Sequence, residues 1–337
     1  MAMMTQRHRG TGAGEDTPRL SVVVPVFNEQ EVLPLFAARL RPVLDRLGMS
    51  YEVLTVDDGS RDATAAVLEA MRGSWPQLRV VRLRRNSGHQ NALTAGLHRS
   101  RGQYVVSIDV DLQDPPEVIA EMLRLAEAEN LDVVHGVRSD RSSDSAFKRG
   151  TAGLYYRMIR RVVGAAVPPN AGDFRLLSRT AVNGLVDLPE HLPVYRLLVP
   201  WLGLPSGEVA YVREKRAAGR SKYPLAKMIR LALDSVTGFS AAPLRVATWL
   251  GCAGIALCAV LALGGTAAYV WGDVVPGWTS IVLAVVFLGA LQLLCLGLLG
   301  EYVARIFTTL QGRPAYVVAS DSGSAAAPVR EYATSGR

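Results

Sequence analysis

The run Ser107-Ile108-Asp109-Val110-Asp111-Leu112-Gln113-Asp114-Pro115-Pro116 carries the densest chemistry in this sequence. An apolar strand over 104–108 delivers Asp109 and Asp111, spaced i, i+2, at its carboxyl end. In extended backbone that spacing puts both carboxylates on one face. Hard oxygen ligands of this kind, beside the amide oxygen of Gln113, suit Mg²⁺ or Mn²⁺. Such an ion with open positions grips a diphosphate and neutralises it as it leaves. Asp114 ahead of Pro115-Pro116 reads as a helix N-cap with proline in the first turn. D-x-D alone also ends many ordinary strands, so its meaning depends on the rest of the chain.

The elements that must position these residues alternate. Continuous apolar runs predict strands over 20–26, 51–56, 78–83, 104–108 and 131–136. Helical patterns lie between them over 29–47, 61–72, 88–100 and 116–128, with Ser60 a candidate N-cap. Alternation of this kind predicts an open, mostly parallel α/β sheet with helices on both faces. Ligands in such sheets bind outside the carboxyl ends of the strands. Asn28-Glu29, Asp57-Asp58 and Asp109-Asp111 all sit at such ends and are expected to converge on one crevice.

Hydrophobic residues make up 49% of the 337-residue chain, and mean hydropathy is +0.18, high for a soluble protein. The excess is local. Residues 246–270 and 278–300 carry no charged side chain, and each is long enough to cross a hydrocarbon layer of ~30 Å. Their connector holds one acidic residue, Asp273. Arg230 and Arg245 precede the first run, and Arg305 and Arg313 follow the second. The positive-inside rule then predicts a two-helix transmembrane hairpin with both ends cytoplasmic. Residues 224–244 carry an amphipathic, basic pattern. They either lie in the membrane interface or form a linker helix packed on the preceding domain. Small residues in the spans (Gly251, Gly254, Gly264, Gly265) permit association into a homo-oligomer. Residues 1–18 are polar without a signal-peptide core, and 308–337 read as a largely disordered tail. Cys252, Cys258 and Cys295 lie in apolar runs with no metal or disulfide spacing. The net charge of +7 has no nucleic-acid-binding motif beside it, so it favours phosphate ligands and an anionic bilayer over nucleic acid.

Val24-Pro25-Val26-Phe27-Asn28-Glu29, then Thr55-Val56-Asp57-Asp58-Gly59-Ser60, then the D-x-D run resemble glycosyltransferase family 2, whose fold is GT-A, a Rossmann-like α/β sheet. Each motif is short; the ordered set is specific. Asp109 to Pro116, Gly172-Asp173-Phe174-Arg175-Leu176 and Arg216-x-x-Gly219-x-Ser221-Lys222-Tyr223 look like the polyprenyl-phosphate branch. The C-terminal hairpin and Gly300-Glu301-Tyr302 resemble the bactoprenol glucosyltransferase type most. The likeness covers roughly residues 19–315, with 19–223 as the catalytic domain and 245–307 as the hairpin.

That resemblance implies residue roles. Pro25, Asn28, Glu29 and Asp57 line a nucleotide pocket. Asp58 either caps the turn at Gly59 or helps hold the nucleotide. Asp109, Asp111 and Gln113 match the metal and diphosphate site, with Asp109 alternatively contacting nucleotide or sugar. Arg138, with Lys148 or Arg149, matches an acceptor-phosphate site, and Arg216, Ser221, Lys222 and Tyr223 form a basic loop able to close over the diphosphate. Asp173 resembles the family's proposed base. A phosphate monoester has a second pKa near 6, however, so Asp173 alternatively binds sugar hydroxyls or orients Arg175. His89, in Asn86-Ser87-Gly88-His89-Gln90, lies near the family's substrate region, and helix capping or surface exposure explains it as well. The implied reaction is inverting transfer of a sugar, glucose from UDP-glucose foremost, to polyprenyl phosphate. The rivals are a processive polysaccharide synthase, whose Q-x-x-R-W motif is missing, and a non-catalytic membrane scaffold.

Overall fold

The computed structural model describes residues 17–139, 171–188, 193–214, 242–271 and 277–323. These fall into two units, one holding 314–323 together with everything before 215, the other 242–271 and 277–313. The expected contributions of Arg149, Arg216, Ser221, Lys222 and Tyr223, the amphipathic stretch 224–241, and the termini 1–16 and 324–337 lie outside the described residues.

The first unit is a mixed sheet. Its elements run β1 Leu20–Val26, α1 Leu33–Arg46, β2 Tyr51–Asp57, α2 Thr64–Ser74, β3 Leu78–Leu83, α3 His89–Arg99, β4 Tyr104–Ser107, α4 Val118–Glu129 and β5 Val133–Arg138. They continue with β6 Ala171–Ser178, α5 Arg179–Val186, α6 Tyr195–Trp201 and β7 Ser206–Tyr211, and β8 Val318–Asp321 returns from the far end of the chain. The spatial order is β7-β5-β6-β4-β1-β2-β3-β8. β1, β2, β3 and β4 pair in parallel, as do β5 and β7, whereas β6 runs antiparallel between β4 and β5 and β8 antiparallel to β3.

The sheet is two-sided because its strands are apolar on both faces. Leu20, Val22, Val24 and Val26 meet Leu33, Phe36, Leu40 and Leu44 of α1 in the main core. The alternate residues Val56, Val81 and Leu83 meet Ala92 and Ala95 of α3. α3 lies so near the sheet that a β-carbon on Gly96 would collide with Val23 Cγ1. The expected α/β architecture with helices on both faces is the one observed.

Several local expectations are corrected. α1 and α2 start at Leu33 and Thr64, not at 29 and 61, because the preceding residues form loops bonded to each other rather than first turns. Ser60 accepts from the Asn28 backbone N–H instead of capping α2. Asp114 is no N-cap either: α4 begins at Val118, and the buried Asp114 carboxylate accepts from the Tyr211 hydroxyl at 2.5 Å. The tail after 308 holds an ordered strand, β8, whose apolar neighbours Tyr316 and Val318 cover the α3-side core.

In the second unit, α7 Ala242–Val270 and α8 Trp278–Leu310 are long helices that pack against each other. Trp249, Ile255, Leu263, Leu293 and Leu310 are exposed along them. Among the described residues, Phe287–Leu310 is the segment long and apolar enough to cross a membrane by length and composition, with a shorter apolar stretch at Ala247–Leu257.

Candidate active site

The carboxyl ends of β1, β2, β3 and β4 share one edge of the sheet, and the loops there are stapled together. Asn28 sits in left-handed backbone (φ 55°), a conformation that asparagine tolerates better than most residues. Its N–H donates to Ser60 Oγ, and its Oδ1 accepts from Arg61 N, both at 2.9 Å. Glu29 N donates to Thr64 Oγ1 at 2.9 Å. Pro25 is buried within β1 opposite Val56. Gly59 is obligatory: its φ is +68°, and a β-carbon there would fall 2.7 Å from the Arg85 carbonyl carbon.

The two carboxylates of Asp57-Asp58 face different partners. Asp57 Oδ1 accepts from Ser60 N at 2.8 Å, and its fully buried side chain lies beside Arg82, Nε to Oδ2 3.3 Å. Asp58, also buried, accepts from the N–H groups of Ser87 and Gly88 at 2.7 and 2.9 Å. Asp58 therefore anchors the β3–α3 loop, neither capping its own turn nor facing open solvent.

That loop leads straight into His89 and Gln90 at the start of α3, and they reach β6. His89 Nε2 lies 3.3 Å from Asp173 Oδ2 and 3.6 Å from Asp109 Oδ1. Gln90 Nε2 donates to Asp173 Oδ2 at 3.0 Å, and Arg175 Nη2 donates to Asp173 Oδ1 at 2.7 Å. Asp109 and Asp173, 64 residues apart in sequence, thus meet around one imidazole. The antiparallel insertion of β6 beside β4 brings them together.

The electrostatics follow. Burial opposes the charge on His89, but the Asp173 hydrogen bond and the charges of Asp109 and Asp173 outweigh it and lift its pKa to about 9. Burial, countered by His89 and reinforced by Asp173, Asp114 and Asp111, pushes Asp109 up to about 6. Asp173 is the opposite case. Burial alone would raise it, yet the His89 hydrogen bond and the Arg175 guanidinium hold it well below the usual carboxylate range. Its carboxylate is thus held in the ionised form.

Asp111 Oδ1 accepts from Gln113 N at 3.2 Å, an Asx turn around Leu112, itself at φ 58°. The Gln113 side-chain oxygen, expected beside the carboxylates, accepts instead from Arg213 Nη2 at 2.5 Å. Arg138 ends β5 near Asp114 and Tyr211, 4.0 and 3.5 Å away. The structure therefore groups Asp109, Asp173, Arg175 and His89 tightly, leaves Asp57, Asp58 and Asn28 as loop anchors, and ties Gln113 to the segment after β7.

Arg175 is 1% exposed and its Cα pairs across the sheet with that of His135. Burial and the Arg175 charge push His135 down to about 3, below its ordinary 6.5. A histidine neutral when folded but protonated when unfolded makes the fold lose stability as pH falls from about 6.5 toward 3. At pH 5 the loss is about 2 kcal/mol. His135→Gln is expected to flatten that acid limb in a denaturant series between pH 7 and 5. An unchanged slope would assign the limb to other groups.

A family model described as glycosyl transferase family 2 matches residues 21–185, from β1 into α5. The chain is 38% identical over 304 residues to the bactoprenol glucosyl transferase of Shigella phage SfII, covering 89% of this chain and 97% of that protein. It belongs to glycosyl transferase family 2. Relatives of near-equal length also include the uncharacterized glycosyltransferase YkcC of Bacillus subtilis (strain 168), 36% identical over 90% of this chain and 94% of that one. The prophage bactoprenol glucosyl transferase homolog of Escherichia coli (strain K12) is 36% identical over 89% and 98%. Among solved structures, glucosyl-3-phosphoglycerate synthase from Mycobacterium tuberculosis aligns at 21% identity and a TM-score of 0.46, covering 65% of this chain and 78% of that one. The chain is thus a glycosyltransferase, and the family 2 match spans the sheet elements that carry its three amino-terminal motifs.

Proposed function

We propose that this family 2 enzyme transfers glucose from a UDP-sugar to polyprenyl phosphate, with inversion, from a two-helix membrane anchor formed by α7 and α8. The end-to-end similarity to proteins named bactoprenol glucosyl transferases supports the acceptor most strongly, because it includes the apolar C-terminal helices. The exposed apolar side chains of α7 and α8 support the anchor.

The residues present fit a divalent ion. β4 ends at Ser107, so Asp109 and Asp111 lie in the turn that follows it and not on one face of an extended strand. Both are hard carboxylate donors reachable by solvent, and among the described residues no third acidic, histidine or cysteine ligand joins them. One or two carboxylates completed by substrate phosphates is the usual Mg²⁺ arrangement. Asp109 and Asp111 would hold Mg²⁺ or Mn²⁺, which supplies charge neutralisation to a departing diphosphate.

The acceptor needs little help to become a nucleophile. At pH 7 most of a phosphate monoester is already dianionic, so its oxygen attacks the anomeric carbon without an enzyme base. The new C–O bond forms as the bond to the nucleotide diphosphate breaks, and UDP leaves with the electron pair. Arg138, at the end of β5, holds the incoming phosphate by its planar fork. Asp173, already accepting from three side chains, orients the crevice floor and removes no proton.

The test is transfer to undecaprenyl phosphate in detergent from radiolabelled UDP- and GDP-sugars with Mn²⁺ or Mg²⁺. Lipid-phase label from UDP-glucose, as a β-linked product, is the expected result. A folded protein that binds UDP yet labels no lipid, or yields retained configuration, would sink the proposal.

A further inference from the structure

Two carboxylates, Asp109 after β4 and Asp173 on the neighbouring β6, share one neighbour, the Nε2 of His89. Like charges this close repel unless a donor stands between them. The other donors to Asp173 leave Asp109 unlinked: Arg175 takes Oδ1, while Gln90 takes Oδ2 and turns its own Oε1 toward the Tyr195 N–H at 3.4 Å. His89 itself is set from below, because Asp58 fixes the two backbone N–H groups immediately before it. A buried anchor, a clamped loop and a side chain reaching two site carboxylates form one continuous chain of contacts.

We propose that His89 is a positioning residue for sugar transfer. It holds the carboxylates of Asp109 and Asp173 at a fixed separation, so that the donor sugar and the reacting diphosphate meet a rigid floor. This rests on the glycosyl-transfer function proposed above. His89 acts through the two aspartates, and Gln90 does not replace it because its amide N–H serves Asp173 and its oxygen faces the Tyr195 N–H of α6.

The full-length enzyme in detergent, as wild type, His89→Ala and His89→Gln, decides the matter. The measurements are kcat and KM for lipid transfer, UDP binding by calorimetry, thermal midpoint, and slow hydrolysis of the sugar nucleotide without acceptor. For His89→Ala, kcat is expected to fall ~10- to 100-fold, the scale of a small misplacement at a reacting centre. Its KM and UDP affinity should stay within about threefold, since only groups that act in the transition state change kcat alone. His89→Gln, whose amide N–H reaches as far, should recover most of the loss. A His89→Ala kcat within about twofold of wild type overturns the proposal. So does a loss shared equally by UDP binding and thermal midpoint and not rescued by Gln, which marks a merely structural residue. Hydrolysis separates the two readings. Wild type that hydrolyses donor but labels no lipid refutes the polyprenyl acceptor, while the same comparison of variants on hydrolysis still decides the role of His89.

Discussion

Asp109→Asn and Asp111→Asn are each expected to lower sugar transfer about a thousandfold or more. The substitutions keep shape and remove charge where a divalent ion and a leaving diphosphate must be balanced. Losing several kcal/mol of that stabilisation, at about 1.4 kcal/mol per decade, gives a loss of this size. Folding should tolerate the change. The Asp109 side chain is 39% exposed and its ionic partner, His89, is 3.6 Å away and keeps Asp173. Chelation of the wild type with EDTA should reproduce the loss, and excess Mn²⁺ should restore the wild type but neither variant. Single-turnover rates in detergent with matched thermal midpoints are the measurement. Either variant retaining more than about a tenth of wild-type activity would remove that carboxylate from the metal site.

Deleting the residues after Arg313 is expected to cost ~3–5 kcal/mol and lower the thermal midpoint by about 10 °C. The cost arises from a polar network as well as from apolar cover. Arg79 bridges Glu52 at 2.8 Å and Asp321 at 3.3 Å, and Arg99 reaches Asp321 at 3.2 Å, all largely buried. Val80 N donates to Ser322 Oγ at 2.9 Å and Arg84 N to the Val317 carbonyl at 2.8 Å. Removing Asp321 takes a buried carboxylate from two guanidinium groups, of which Arg79 keeps Glu52, and removing Tyr316 and Val318 uncovers Val56, Val81 and Leu83. Asp321→Ala alone should reproduce a substantial share of the loss. Calorimetry or a denaturant series checks both, and a truncated protein melting with the full chain would show that β8 adds nothing.

The first half of the fold was legible because it obeys strong local rules. β1 to β4 are apolar runs, and their carboxyl ends carried the motifs. β6 and β7 were not foreseen. Ala171–Ser178 contains glycine, a carboxylate and an arginine, and its burial depends on neighbours that local pattern cannot supply. β8, Val-Ala-Ser-Asp, has too little apolar character to announce itself and is held by Arg79 of β3 and Arg99 of α3, both distant in sequence. The same limit applied at the site. The motifs located Asp109 and Asp173, but only the sheet order β6-β4-β1 shows that they share a neighbour. His89 opens a helix just after a strand's carboxyl end, where open α/β sheets bind ligands, and that position was the available signal. The anchoring of the β3–α3 loop by Asp58 was illegible for the opposite reason: its partners, two backbone N–H groups about thirty residues on, carry no mark in the sequence.

The place of β8 at the edge of the sheet has a consequence for how the protein is made. A ribosome releases β3 long before residue 318, and both long apolar helices are synthesised in between. Until the last strand emerges, the nascent catalytic domain carries an open strand edge, the kind of surface that recruits other chains. Quality control of this enzyme should therefore depend on how promptly its apolar helices are delivered to their destination, and a delay there should appear as aggregation of a domain that is otherwise sound.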